Sequence, residues 1–309
     1  MKRPFSPALL SFSRGGALWT LIVLSILLPG GRAIGAERPY THKFSIGPGD
    51  GGQLRHPKGV AIMPGTGEIV VTDTGHHSVH VFGSDGTFLR RFGSRGSGDG
   101  QLNSPVGVAV DKAGQILVAD SHNHRIQVFG GDGTFLRKFG TRGSGDGQLN
   151  SPVGVAVDKA GQIIVADQGN HRIQVFDSEG AFARKFEFGD TLWNLVNCVA
   201  VNAAGDILVT RNVSHAIEVF GKDGSLLRQV ALTSDGKSRF LPRTAGVTAD
   251  AAGQIIVTTS NDEIQIFDAD GNFTQKFGRP GSGLGEFDRP AGVAIGGSGE
   301  IIIVATRNH

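Results

Sequence analysis

The chain has 309 residues, 48 of them glycine, a single cysteine and a formal net charge of +2. Cys198 alone excludes an intramolecular disulfide, a cysteine-based metal cluster and the cysteine-rich RING of a ubiquitin ligase. The apolar runs are short and rich in Val, Ile and Phe, and no long stretch carries the 3.6-residue period of a core helix, so the composition predicts an all-β fold.

The first element is an apolar run, ALWTLIVLSILL, from Ala17 to Leu28, preceded by Lys2, Arg3 and Arg14. It is shorter than the roughly 20 residues of a spanning helix, and Ala33 and Gly35 follow at the spacing a signal peptidase reads. Residues 1–36 are therefore expected to be a signal peptide cut near Gly35 or Ala36, with an uncleaved anchor as the alternative, and residues 37–309 to be one domain. A secreted or periplasmic location follows, with membrane contact only through an uncleaved segment. Loss of residues 1–35 removes Lys2, Arg3, Arg14 and Arg32 and leaves 26 basic residues against 28 acidic ones. The basic whole-chain balance therefore gives no argument for nucleic acid.

Beyond the leader the chain repeats itself. Residues 95–116, RGSGDGQLNSPVGVAVDKAGQI, return unchanged at 142–163. The glycine of PVGVAV sets the register of weaker copies at Gly59, Gly107, Gly154, Cys198, Gly246 and Gly292, spaced 48, 47, 44, 48 and 46 residues apart. Each copy holds four short strand-like runs, which in the second copy are VGVAV, QILVA, RIQVF and FLRKF. The turns between them are hairpin-length and rich in Gly and Asp, so each copy is an antiparallel up-and-down sheet. Such a sheet cannot cover both its faces, and six stacked around an axis cover one another: a six-bladed β-propeller. Phe82, Phe129, Phe176, Phe220 and Phe267 end the third strands and Phe88, Phe135, Phe182 and Phe273 open the fourth, so they are expected to wedge between blades.

The stretches GVAVDKAGQILVADSHNHRIQVF and GVAVDKAGQIIVADQGNHRIQVF resemble NHL repeats, with NHR in place of Asn-His-Leu, and the link FGSRGSGDGQLNSP fits that family's connector. The resemblance spans residues 40–309, fades in copies four and five, and implies a six-bladed propeller of the bacterial secreted type. The sixth copy stops at His309, before its third and fourth strands, while YTHKF at 40–44 aligns with FLRKF. The ring is therefore expected to be closed by an N-terminal strand that leaves the sixth blade incomplete: three-stranded with an altered edge, or cut down from a longer parent.

The second-to-third loops and the links share one face of the disc. His77, His124, His171, His215 and His309 recur at one loop position, and each is expected to hydrogen-bond within its own blade rather than to share a metal, because the ring is too wide. The glycine-rich links are read as turns and not as phosphate or calcium loops, since a strand follows and the acidic spacing is wrong. The repeat is most degraded at 186–262, where Trp193, Arg211, Arg239, Phe240 and Arg243 have the character of binding hot spots. Arg95, Arg125, Arg142 and Arg172 add basic groups to the same face.

No catalytic set, metal-ligand cluster or cofactor motif stands outside the repeat. The chain is read as a monomeric, non-catalytic binding scaffold that presents its long-link face to a protein or small ligand, without a cofactor. One alternative is a metal-dependent lyase or hydrolase with calcium or zinc in the axial channel. NHL-like amidating lyases work in that way, but no residue here matches their ligand pattern. The second alternative is an RNA-binding propeller of the tripartite-motif kind.

Overall fold

The structure is a computed structural model in which residues 20–25, 41–46, 53–188, 195–211, 215–232, 244–283 and 285–306 are described. Six four-stranded antiparallel sheets form the blades. Blade two runs outward from the axis as Pro105–Val110, Ile116–Asp120, Arg125–Phe129 and Phe135–Phe139. The innermost strands Pro57–Ile62, Pro105–Val110, Pro152–Val157, Val196–Val201, Thr244–Ala249 and Pro290–Ile295 each neighbour the next, and the last neighbours the first, so the ring closes.

The burial pattern explains why the copies need one another. Every residue of Ile116–Asp120 and Arg125–Phe129 is buried, whereas Phe135–Phe139 alternates between half-buried and exposed. Ile126 and Val128 of blade two pack on Val155, Ile163 and Val165 of blade three. The same arrangement joins Val60, Ile69 and Val71 of blade one to Ile302 and Val304 of blade six. The phenylalanine wedges fall where expected, with one refinement. The closest ring contacts run between blades, from the last residue of a fourth strand to the last residue of the next third strand: Phe92 to Phe129 at 4.8 Å and Phe139 to Phe176 at 4.9 Å.

The register glycine has a steric reason. A Cβ on Gly107 would stand 2.7 Å from the Val153 carbonyl oxygen and 2.9 Å from Cα of Gly154, so the innermost strands approach too closely for a side chain. Across the outer rim, Arg137 donates to the Ser178 carbonyl at 2.5 Å and Arg228 to that of Ala269 at 2.8 Å, each tying a fourth strand to the turn of the next blade.

The sixth blade corrects an expectation. Its sheet order is Thr41–Ile46, Thr20–Ser25, Ile301–Ala305, Pro290–Ile295. The N-terminal strand is present as expected, but the blade is complete, because residues of the apolar run fill its third place. Thr20–Ser25 pairs with Ile301–Ala305 on one side and with Thr41–Ile46 on the other. His309 lies outside the described residues. The same six residues cannot be both a removed leader and a strand of the finished blade.

Removing Thr20–Ser25 would leave the closing strand Thr41–Ile46 without the strand it pairs with. A chain beginning at Ala36 is expected to melt at least about 5 °C below the full chain in a thermal scan. Equal melting temperatures would show that the third place of the sixth blade is dispensable.

Candidate functional site

In blades one to three the link face is organised by one buried carboxylate each, Asp73, Asp120 and Asp167. In blade two the second strand ends at Asp120, whose Oδ1 accepts from the backbone N–H of Asn103 in the incoming link at 2.7 Å. Its Oδ2 accepts from Asn123 Nδ2 at 2.8 Å, Arg125 Nε at 2.8 Å and Gln127 Nε2 at 3.0 Å. Arg125 also donates to the carbonyls of Gly98 and Gln101 in that link. Blade three repeats the set with Asp167, Asn170, Arg172 and Gln174, Arg172 reaching the carbonyls of Ser144, Gly145 and Gln148. Both guanidinium groups are buried, each a charge-assisted clamp between link and blade.

Two of the expected binding residues are therefore relocated. Arg125 and Arg172 face inward with their donors engaged, because the buried carboxylate at the strand end needs a cation. Arg211 is also held internally. Blade four reverses the charges, placing Arg211 where Asp167 stands and Glu218 where Gln174 stands, and the two form an ion pair beneath the ring of Phe188, 5.0 Å from the guanidinium. Arg95 and Arg142 are exposed. Trp193, Arg239, Phe240 and Arg243 lie outside the described residues. A basic face for RNA is correspondingly thinner than the arginine count suggests.

Two of the loop histidines, His77 and His124, act between blades, not within them as expected. His77 and His124 have left-handed backbone, φ 55° and 56°. Their Nδ1 atoms accept from the backbone N–H of Ser104 at 3.0 Å and Ser151 at 3.1 Å, the residues that introduce the next blade. In blade five Asp262 takes this part, its Oδ1 accepting from the N–H of Arg289 at 2.7 Å. An acceptor nitrogen must be unprotonated. Burial, with Arg95 and His122 beside His77 and Arg142 and His122 beside His124, lowers both pKa values.

Inside the ring runs an axial channel of about 650 Å³ lined by the innermost strands. The second residue of the innermost strand is Val106 in blade two, Val153 in blade three, Ala245 in blade five and Ala291 in blade six, but Lys58 in blade one and Asn197 in blade four. Blades one and four face each other across the ring. Lys58 is the only charged side chain in the described lining, and desolvation inside the ring, with Arg289 nearby, lowers its pKa. Asn197 donates to the Thr244 carbonyl at 3.1 Å, and Gln168 Nε2 to that of Val196 at 3.0 Å. Enclosure pushes the pKa of the Cys198 thiol up. The described lining has no imidazole or carboxylate, so the axial-metal alternative finds no ordinary ligand set there.

Lys58 and Asn197 are residues that pattern reading of the sequence passes over. Their signal is a departure at a column where other copies keep Val or Ala.

The geometry defines the class: a six-bladed propeller whose variable groups gather at the axis and on the link face. NHL-repeat signatures match residues 54–82, 102–129 and 149–176, and the 6-bladed beta-propeller family DUF5128 matches 236–308. The chain is an NHL-repeat β-propeller protein. It is 43% identical over 61 residues to RING finger protein nhl-1 of Caenorhabditis elegans, and 41% over 59 residues to Protein brain tumor of Drosophila melanogaster. These matches cover 20% and 19% of the chain but only 6% of each relative. Among solved structures it is similar to a streptogramin B lyase, with TM-score 0.59 and 13% identity over 82% of this chain and 92% of that one. It is likewise similar to a gluconolactonase from Xanthomonas campestris, with TM-score 0.59 and 18% identity over 82% and 87%. At these identities the likeness is one of fold.

Two expectations follow. Replacing Arg172 by Met leaves the Asp167 carboxylate buried without its cation, and chemical denaturation is expected to show a loss of about 3–5 kcal/mol. Arg95→Ala on the exposed link is expected to cost under about 0.5 kcal/mol, and equal losses would refute the clamp. Because the folded pKa values of His77 and His124 lie below the usual 6.5, the unfolded chain takes up protons first as pH falls. The latches' contribution is complete above about pH 6.5 and lost on further acidification through the folded pKa values. Melting temperature is expected to fall below that point, and a His77→Gln/His124→Gln variant to show a shallower fall; an unchanged slope would assign the acid sensitivity elsewhere.

Proposed function

We propose that this protein is a monomeric binding propeller that takes a small anionic ligand at the mouth of the axial channel on the link face. The observation that carries the reading is the pair of departures from the repeat, Lys58 and Asn197, on opposite sides of an otherwise Val- and Ala-lined mouth. Lys58 supplies an ammonium near Arg289, and Asn197 and Gln168 supply amide dipoles. Identical blades need none of these groups for packing. In sequence, Trp193 precedes the strand that bears Asn197, and Arg239, Phe240 and Arg243 precede the strand that opens at Thr244, so these residues belong to the same reading as candidate ligand contacts. A protein partner that presents a carboxylate would use the same groups.

Lys58 favours a second, catalytic reading as well, since an amine with a lowered pKa is a candidate general base. The lyase and lactonase of similar fold make that reading worth testing at this mouth. A location outside the cytoplasm rests on the leader reading of the apolar run Ala17–Leu28 with Ala33 and Gly35 behind it, a reading that competes with the place of Thr20–Ser25 in the sixth blade. Among the described residues no helix is long and apolar enough to cross a membrane.

Calorimetric titration with a panel of small carboxylates and phosphomonoesters at low salt tests the proposal. A bound anion whose affinity falls at least about tenfold in Lys58→Met, at unchanged melting temperature, supports it. Equal affinities in the two proteins, or no binding across the panel, would overturn it. Recovery of the anion unchanged keeps the non-catalytic reading, and Lys58-dependent conversion replaces it with the catalytic one.

A further inference from the structure

Blade one departs from the clamp of blades two and three at every position but one. Asp73 keeps the carboxylate, its Oδ1 accepting from the Arg55 N–H at 2.9 Å, as Asp120 accepts from Asn103. The three side chains that serve Oδ2 are all exchanged. His76 stands at the place of Asn123, Ser78 at that of Arg125 and His80 at that of Gln127. Strand register supports the match, since Asp73 pairs with Ser78 as Asp120 pairs with Arg125. The buried cation is gone, and two imidazoles have arrived.

Their donor atoms converge. His76 Nδ1 lies 2.7 Å and His80 Nε2 3.4 Å from Asp73 Oδ2, and the three ligand atoms all lie within 4.8 Å of one another. Asp73 and His80 are buried, while His76 is 39% exposed and opens the cluster to solvent. The His80 ring is packed against Phe82 and Phe88, with centroids 6.2 and 5.8 Å away, which limits its freedom. A second observation points to a missing occupant. Ser78 is 3% exposed and its Oγ has no hydrogen-bond partner among the described residues, at the position from which Arg125 sends its guanidinium to the carboxylate.

We infer that blade one binds a divalent transition-metal ion, zinc by its donor chemistry, through Asp73, His76 and His80, in the place the guanidinium takes in its neighbours. Two imidazoles and one carboxylate form a zinc ligand set, and ligands about 2.0–2.1 Å from a tetrahedral zinc stand about 3.4 Å apart. His80 and Asp73 already have that separation. The shorter His76–Asp73 hydrogen bond opens by several tenths of an ångström as its proton leaves. The Ser78 hydroxyl or a water completes the shell. The ion would restore the positive charge that the buried carboxylate lacks and fasten the blade that receives the chain from the ring-closing strand Thr41–Ile46.

The test uses the full chain, freed of metal with a chelator and titrated with zinc. One zinc per chain by elemental analysis, a rise in melting temperature on binding, and tetrahedral absorption bands with cobalt are expected. A His76→Asn/Ser78→Arg/His80→Gln variant rebuilds the side chains of blade two and is expected to fold without zinc and to show no zinc-dependent rise. His80→Gln alone is expected to weaken binding at least tenfold. Zinc bound equally by wild type and the His80→Gln variant, or no zinc bound by wild type, would overturn the inference. Lys58→Met is expected to bind zinc as wild type does, which separates this result from the anion reading at the axis.

Discussion

A four-stranded sheet with two apolar faces has to be covered on both, and in this molecule each blade is covered by its neighbours. That requirement sets the ring and makes closure part of the core, since Val60 and Val71 of blade one are buried against Ile302 and Val304 of blade six. It also sets the narrow tolerance at the axis, where Gly107 meets the backbone of the next innermost strand. Stability is then a chain of interfaces and not a property of any blade alone.

The buried carboxylates are the polar counterpart of this packing. Each link must leave the rim of one blade and enter the axis of the next, and its turning backbone groups need partners. Asp120 and Asp167 meet that demand by gathering backbone, amide and guanidinium donors at one point. Thr72 and Thr258 make a smaller connection of the same kind, donating to the carbonyls of Val106 and Ala291 in the following blades. The left-handed residues His77, His124 and Asp262 add latches at the next step of the path.

What the sequence discloses follows from what repetition encodes. The blade count, the strands and the phenylalanine wedges are legible because each recurs at a fixed interval, as Phe129 and Phe176 do. The inward turn of Arg125 and Arg172 is harder to see, because an arginine in a polar loop has the same appearance whether it faces solvent or a buried carboxylate. The histidine latches are hidden for a related reason: the partner of His124 is the backbone N–H of Ser151, and backbone groups have no signature in a sequence. Thr20–Ser25 is hidden by competition, since an apolar run behind basic residues carries the marks of a leader whether or not it pairs with Ile301–Ala305.

Copies two and three are the baseline from which the other copies can be read. Their identical residues explain fold and little else, because a side chain repeated in every blade has a role repeated in every blade. Information about function resides in the departures: Lys58 and Asn197 at the axis, His76, Ser78 and His80 around Asp73, and the reversed pair Arg211–Glu218. The last of these preserves charge balance by exchanging both partners, so packing alone accounts for it. The first two do not. One puts a cation where the neighbours are apolar, and the other removes a cation where the neighbours require one. Neither group is needed to pack the blade that carries it, and a group that packing does not require is the one left to meet something outside the chain.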